Sequence, residues 1–363
     1  MGLSCGLIGL PNVGKTSVFN ALVGAGGVVA NYPFSTVETQ IGVSAIPDVR
    51  LSKLADIFGS KKVTPSTLEI RDIAGLVEGA SHGEGLGNQF LGEIREVDAL
   101  LHLVRCFRDS NVMHVAGDID PRRDISLIES ELMLADLGTI ERRQQRISKR
   151  VKTGERSLQQ EFDLLRRLEA LLHEGHWLYG QAFSPEEQAL LKEFQLLSAK
   201  PVFFVANVSE GTGVDDPLVV PVMETARQRR TQAIILAGQI EAELATLSEQ
   251  ERAEFFRELG LQESSIQRLS SVAHEMLGLI TFFTAGEEES RAWTIKKHTK
   301  AHEAAGKIHS DMQRGFIRAE VFAYSDLIKC GTPAVVREKG LFRLEGRDYI
   351  VQEGDIMYFR FNV

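Results

Sequence analysis

Residues Gly9 to Thr16 read Gly-Leu-Pro-Asn-Val-Gly-Lys-Thr, filling every fixed position of G-x-x-x-x-G-K-[ST] directly after the apolar stretch Leu3 to Ile8. This pattern between a strand and a helix is a phosphate-binding loop. Gly9 and Gly14 let the backbone bend, so that N–H groups of Asn12, Val13 and Gly14 converge on phosphate oxygens. The helix from about Lys15 adds the positive end of its dipole. Lys15 is expected to bridge the β- and γ-phosphates, Thr16 to offer its hydroxyl to Mg²⁺, and Ser17 to contact the α-phosphate. Eight-residue patterns also arise by chance in glycine-rich turns, but here strand and helix both sit where the loop needs them.

Further strand-like stretches at Thr67 to Asp72, Ala99 to Cys106, Pro201 to Asn207 and Ala233 to Ala237 alternate with helix-compatible segments. That alternation predicts a mostly parallel α/β sheet. Between Cys106 and Pro201 lie roughly ninety residues, far more than one crossover helix needs. Leu127, Leu134, Leu137 and Ile140, then Leu158, Phe162, Leu165, Leu168 and Leu172, recur every three or four positions among charged neighbours. They predict two long amphipathic helices, folded back at Lys152-Thr153-Gly154 as an antiparallel hairpin or short coiled coil. Near its tip Arg142, Arg143, Arg146, Lys149, Arg150, Lys152 and Arg156 face only Glu141 and Glu155. In a chain of net charge −9 this is the best basic patch, with RNA contact and a solvated helix face as its two readings.

The segment Ser248 to Leu277 reads as helical and linker-like. Beyond it, Tyr349 to Val351 and Ile356 to Phe361 alternate around Gln352-Glu353-Gly354-Asp355, predicting a β-hairpin in a small α+β domain. The expected division is residues 1–120 with 199–280 as a nucleotide domain, 121–198 as a helical insertion, and 281–363 as the C-terminal domain. No apolar run approaches bilayer length, and the N-terminus lacks a basic segment followed by an apolar one. A cytoplasmic protein is expected, with neither membrane nor DNA as partner.

Thr67 to Asp72 runs into Ile73-Ala74-Gly75, giving D-x-x-G at a strand's carboxyl end. Asp72 can hold a water on Mg²⁺, and the Gly75 N–H can sense the γ-phosphate. In the loop Asn31 to Thr36, Thr36 is the candidate second hydroxyl on Mg²⁺; its plain alternative is an ordinary turn threonine. Leu76 stands where Ras-like hydrolases place the glutamine that orients attacking water. An alkyl side chain cannot orient water, so turnover is expected to be slow or to use a residue from elsewhere. The glycines from Gly79 to Gly87 predict a loop that reorganises with nucleotide. Guanine readers carry Asn-Lys-x-Asp; here Asn207-Val208-Ser209-Glu210 lacks the lysine and moves the carboxylate one methylene out. Adenine, with an N1 acceptor and an N6 donor, is then the better base, read by backbone groups or by the amide of Asn207. Ala237 and Gly238 could supply backbone N–H groups nearby.

Together with Gly83-Glu84-Gly85-Leu86-Gly87-Asn88-Gln89-Phe90 and Arg291-Ala292-Trp293-Thr294-Ile295, these segments resemble the Obg-like ATPase (YchF) family over essentially the whole chain. The resemblance implies a Ras-like P-loop G domain with a mostly parallel sheet, a helical coiled-coil insertion and a small α+β, ubiquitin-like TGS domain. It also implies ATP rather than GTP as nucleotide, and ribosomes or ribosomal RNA as partner. A catalytic role is implied for His114, in Asn111-Val112-Met113-His114-Val115, beside Lys15 and Gly75; from the residues alone His114 is a loop histidine. As in some related proteins, Asn12 could coordinate K⁺. The chain has Lys15-Thr16-Ser17 where the family usually shows Lys-Ser-Thr, which keeps both hydroxyls, and Glu38-Thr39-Gln40 where it usually shows Glu-Pro-Asn. Two rival readings stand beside a slow, Mg²⁺-dependent ATPase: a GTP-specific GTPase of Obg type, and a non-catalytic, ATP-dependent adaptor at the ribosome.

Overall fold

The computed structural model describes residues 4–24, 29–31, 40–75, 86–151, 155–247, 251, 254–255 and 264–362. Thr36, Leu76, most of the stretch Gly79 to Gly87 and the break at 152–154 lie outside the described residues. The chain divides into two compact units, residues 1–43 with 69–269, and residues 44–68 with 270–363.

The first unit is built on strands β1 (Ser4–Ile8), β6 (Ala99–Cys106) and β7 (Val202–Val208), each buried along its whole length. Strands covered on both faces read as continuous apolar runs, which is why these were visible in the sequence. They pair in parallel, with β5 (Ser66–Asp72) beside β1 and β8 (Ala233–Leu236) beside β7. Strand β3 (Gln40–Ile46), with its antiparallel partner β2 (Val29–Asn31), completes the order β2-β3-β5-β1-β6-β7-β8. The order reverses at β1, so the crevice beyond its carboxyl end is the switch point where open α/β sheets take ligands. Helix α1 (Lys15–Gly24) starts there and buries Val18, Phe19 and Leu22.

The inserted segment forms α4 (Pro121–Val151) and α5 (Arg156–His173), the two long helices expected. Ile140 and Ile147 of α4 pack in one cluster with Leu158, Leu165, Leu168 and Leu172 of α5. A third helix, α6 (Pro185–Phe194), joins this cluster through Phe194. It opens on a capping box, in which Ser184 Oγ accepts from the Glu187 N–H at 3.2 Å and Glu187 Oε2 accepts from the Ser184 N–H at 2.8 Å. The buried stripe of α4 runs through Ile125, Ile128, Leu132 and Ala135, while Leu134, expected to face the core, is 42% exposed. Asp136 explains the offset. One turn after Leu132, its carboxylate turns inward to accept from the N–H groups of Leu197 and Ser198, both at 2.8 Å, and from the Ser198 hydroxyl at 2.6 Å.

The second unit carries a six-stranded sheet of β4 (Lys62–Thr64), β9 (Leu279–Ala285), β10 (Glu289–Lys296), β11 (Phe316–Ala323), β12 (Arg343–Glu345) and β13 (Asp355–Phe361), in the order β12-β11-β13-β9-β10-β4. Residues 44–68, counted with the nucleotide domain in the expected division, pack here instead. Helix α2 (Val49–Phe58) sets Leu51 and Leu54 in one buried cluster with Phe283, Phe322 and Ile356, and β4 pairs in parallel with β10. Ser60 Oγ donates to the Gly286 carbonyl at 2.7 Å beside that junction. The hairpin expected around residues 352–355 does not form. The Val351 N–H donates to the Thr299 carbonyl at 3.0 Å, and β13 pairs with β11 and β9. No helix among the described residues is long and apolar enough to cross a membrane.

Candidate functional site

The chain leaves β1 through Gly9 and re-enters helix at Lys15, with Asn12 at φ +62° and Gly14 at φ +93°. At Gly14 a Cβ would lie 2.5 Å from Asn207 Nδ2, so space and backbone both require glycine. Lys15 is 9% exposed, and its Nζ donates to the carbonyls of Gly9 at 3.1 Å and Leu10 at 2.9 Å. Burial pushes its pKa down to about 8, against the opposing pull of Asp72. Thr16 Oγ1 donates to Asp72 Oδ2 at 2.9 Å. Burial raises the Asp72 carboxyl, while the Thr16 hydrogen bond and the Lys15 charge oppose the shift.

Gly75 lies against the same ammonium: a Cβ there would stand 3.1 Å from both Lys15 Nζ and the Pro11 nitrogen. Asn12, Lys15, Thr16, Ser17, Asp72 and Gly75 therefore line one cleft, of about 460 Å³. A polyphosphate entering it would take over the ammonium that two carbonyls now hold. The hydroxyl of Thr16 and the carboxylate of Asp72 are hard oxygen donors already within a hydrogen bond of each other, which suits a small divalent cation such as Mg²⁺.

The residues expected at the base end sit on and just after β7 and at the start of a later helix. Asn207, 5% exposed, donates from Nδ2 to the Val13 carbonyl at 2.8 Å and accepts at Oδ1 from the Gly238 N–H at 3.0 Å. The amide that was a candidate base reader is thus bonded at Oδ1 to one of the candidate backbone donors and at Nδ2 to the phosphate loop. Val208 is buried and Glu210 is exposed. Ala237 precedes the first residue of α8 (Gly238–Leu244) as its N-cap.

His114 is not in the phosphate cleft. The residue borders a separate hollow of about 530 Å³ with Arg105, Met113, Gly117 and Ile119, its ring buried. Nε2 lies 2.8 Å from Asp124 Oδ2, and Nδ1 accepts from the Ala116 N–H at 3.1 Å. Two residues, Asn12 and Arg105, tie this loop to the rest of the site. Asn12 Nδ2, expected beside a K⁺ ion, donates to the Met113 carbonyl at 3.1 Å. Arg105, 1% exposed, reaches the same carbonyl at 3.5 Å and donates to those of Phe107, Asp109 and Val112 at 3.2, 3.3 and 3.0 Å. Its guanidinium also lies over the Phe107 ring, 4.6 Å from the centroid.

Sequence reasoning missed Asp124 and Arg105. A signal existed for Arg105, because a cation inside the apolar run Ala99 to Cys106 must find several acceptors once that strand is buried. Asp124 gave none, since it reads as an ordinary first-turn acid of a long helix.

Residues 4–129 match the family model described as 50S ribosome-binding GTPase, and residues 279–362 match the model YchF-GTPase_C, described as a protein of unknown function. The chain is 47% identical to the Ribosome-binding ATPase YchF of Bacillus subtilis (strain 168), with all of both chains covered. Against the protein of the same name in Escherichia coli O157:H7 it is 44% identical, again with full coverage of both. Among solved structures, the Schizosaccharomyces pombe YchF GTPase aligns with a TM-score of 0.87 at 32% identity, covering 99% of this chain and 98% of that one.

Proposed function

The chain belongs to the YchF family, and we propose that it binds ATP beside Lys15, hydrolyses it slowly with Mg²⁺, and acts as a conformational switch at the ribosome. The observation that carries this reading is the cleft itself, where a partly desolvated ammonium and the Thr16–Asp72 oxygen pair face the same space. Thr16 and Asp72, with Thr36 outside the described residues, would hold Mg²⁺, which neutralises phosphate charge when bound. Asn12, Val13, Gly14, Thr16 and Ser17 cradle the phosphates, Lys15 stabilises charge between the β and γ groups, and Gly75 meets the γ-phosphate. Asn12 Oδ1 is the atom that would take K⁺.

The choice of adenine rests on the departure at Asn207-Val208-Ser209-Glu210 from the guanine-reading motif, and on the names of the relatives. Val208, Glu210, Ala237 and Gly238 would border the base, with Asn207 holding the phosphate loop to that border. Slow turnover follows from Leu76 in place of glutamine, and His114 would supply the missing polar group. Displacement of a fluorescent ATP analogue tests the nucleotide: ATP should compete at least about tenfold better than GTP. GTP competing tenfold better than ATP would overturn it in favour of a GTPase.

For the ribosome, support comes from the exposed face of α4 with Arg142, Arg146 and Lys149; Arg143 and Arg150 are already ion-paired with Glu161 and Glu155. Neutralising the three exposed cations should weaken co-sedimentation with ribosomes and flatten its salt dependence. Unchanged sedimentation at two salt concentrations would remove this face from the proposal.

A further inference from the structure

Residues 113 and 114 are tied in opposite directions. The Met113 carbonyl is held by Asn12 of the phosphate loop and by Arg105. The His114 ring is held by the first turn of α4. Because Nδ1 accepts from the Ala116 N–H, a neutral ring carries its proton on Nε2, and that N–H donates to Asp124 Oδ2. The other oxygen of Asp124 takes Arg123 Nε at 3.1 Å and Nη2 at 3.0 Å, which fixes the carboxylate in place. Both ring nitrogens are therefore engaged, and the side chain is 2% exposed. In this position the imidazole can neither orient a water nor reach a phosphate in the cleft lined by Lys15.

We propose that Asp124 is the positioning residue of His114: it stores the imidazole against α4, in a resting place that the ring must leave to take part in hydrolysis. This rests on the reading that His114 acts in ATP hydrolysis. Leaving requires the loss of two hydrogen bonds at one side chain, with no rearrangement of the sheet. Asn12 stands at the cleft end of the same peptide pair, so phosphates seated in the loop act on residues 113 and 114 through it.

The test compares wild type, Asp124→Ala, Asp124→Asn, His114→Ala and the Asp124→Ala/His114→Ala double variant in single-turnover ATP hydrolysis. Affinity for a non-hydrolysable ATP analogue and the ¹⁵N imidazole spectrum are measured on each. Asp124→Ala should raise the single-turnover rate by about three- to tenfold, the scale of one hydrogen bond lost from the resting state, with affinity changed by less than about twofold. Asp124→Asn should lie between it and wild type, because its amide oxygen still accepts from Nε2–H; it also serves should the alanine variant fail to fold. The double variant should fall to the rate of His114→Ala. Nucleotide-free wild type should show an exchange-protected Nε2–H that Asp124→Ala loses. A rate for both Asp124 variants at or below wild type, while His114→Ala is slow, overturns the storage role alone. A His114→Ala rate equal to wild type removes the catalytic reading, and the storage role with it.

Discussion

The side-chain amide of Asn207 donates to the main-chain carbonyl of Val13 across 2.8 Å, fastening the end of β7 to the phosphate loop. The same amide accepts from Gly238, so one residue ties β7, the phosphate loop and the start of α8 together. Asn207→Ala should therefore weaken ATP and GTP alike, by about tenfold each, the scale of a buried polar tie. Calorimetric titration of both nucleotides checks this. A loss confined to ATP would make Asn207 a reader of the base.

Lys15 has a pKa of about 8 before nucleotide binds, against 10.5 for a free lysine. A bound polyphosphate favours the ammonium and raises that pKa. Above pH 8, then, binding must draw a proton from solvent, and affinity falls as pH rises. At pH 8.5 titrations in buffers of different ionisation enthalpy should report proton uptake that is larger than at pH 7. Equal heats in all buffers at pH 8.5 would contradict the desolvated state of this lysine.

Asp136→Ala leaves the N–H groups of Leu197 and Ser198 and the Ser198 hydroxyl without their acceptor, at a cost of about 3–5 kcal/mol in urea unfolding. Burial also lifts the Asp136 carboxyl from 3.8 to about 6, so the folded protein binds its proton more tightly than the unfolded chain does. The sign follows. This group's contribution is full below about pH 4 and is lost as pH rises through about 6. Asp136→Asn should lose that slope, so the stability difference between wild type and variant should change between about pH 4 and pH 6, and a difference flat across this window would refute it.

Arg105→Ala takes donors from four carbonyls of the loop that carries His114. It should cost about 2–4 kcal/mol and raise amide hydrogen exchange across residues 107–116 selectively. Arg105→Lys should rescue little, since one ammonium cannot reach four acceptors. Exchange that rises evenly over the whole first unit would assign Arg105 to general stability instead.

The core strands of the nucleotide-binding sheet were legible because strands buried on both faces write themselves as apolar runs; Ala99 to Cys106 matches β6 end for end. The phosphate loop was legible because Gly14 and Lys15 answer to backbone and charge requirements that no other residues meet. Three features were hidden, each because a tertiary partner decides it. Leu134 lost its expected place to Asp136, whose partners at 197 and 198 lie in another segment. The ties of Asn207 were hidden because nothing local discloses that Val13 and Gly238 meet its amide. In residues 44–68, the pair Leu51 and Leu54 announces a buried helix face, but the surface it meets, with Phe283 and Ile356, is far away in the chain.

That distance orders events during synthesis. The ribosome finishes α2 and β4 roughly 230 residues before it finishes β10, a gap on the order of ten to fifty seconds at ordinary elongation rates. Throughout that interval the nascent polypeptide carries a helix with two leucines and no mate. Products that stop short of residue 270 can never cover them, so premature termination yields a sticky fragment for chaperones and proteases, whereas the finished chain closes the gap with its own C-terminal strands.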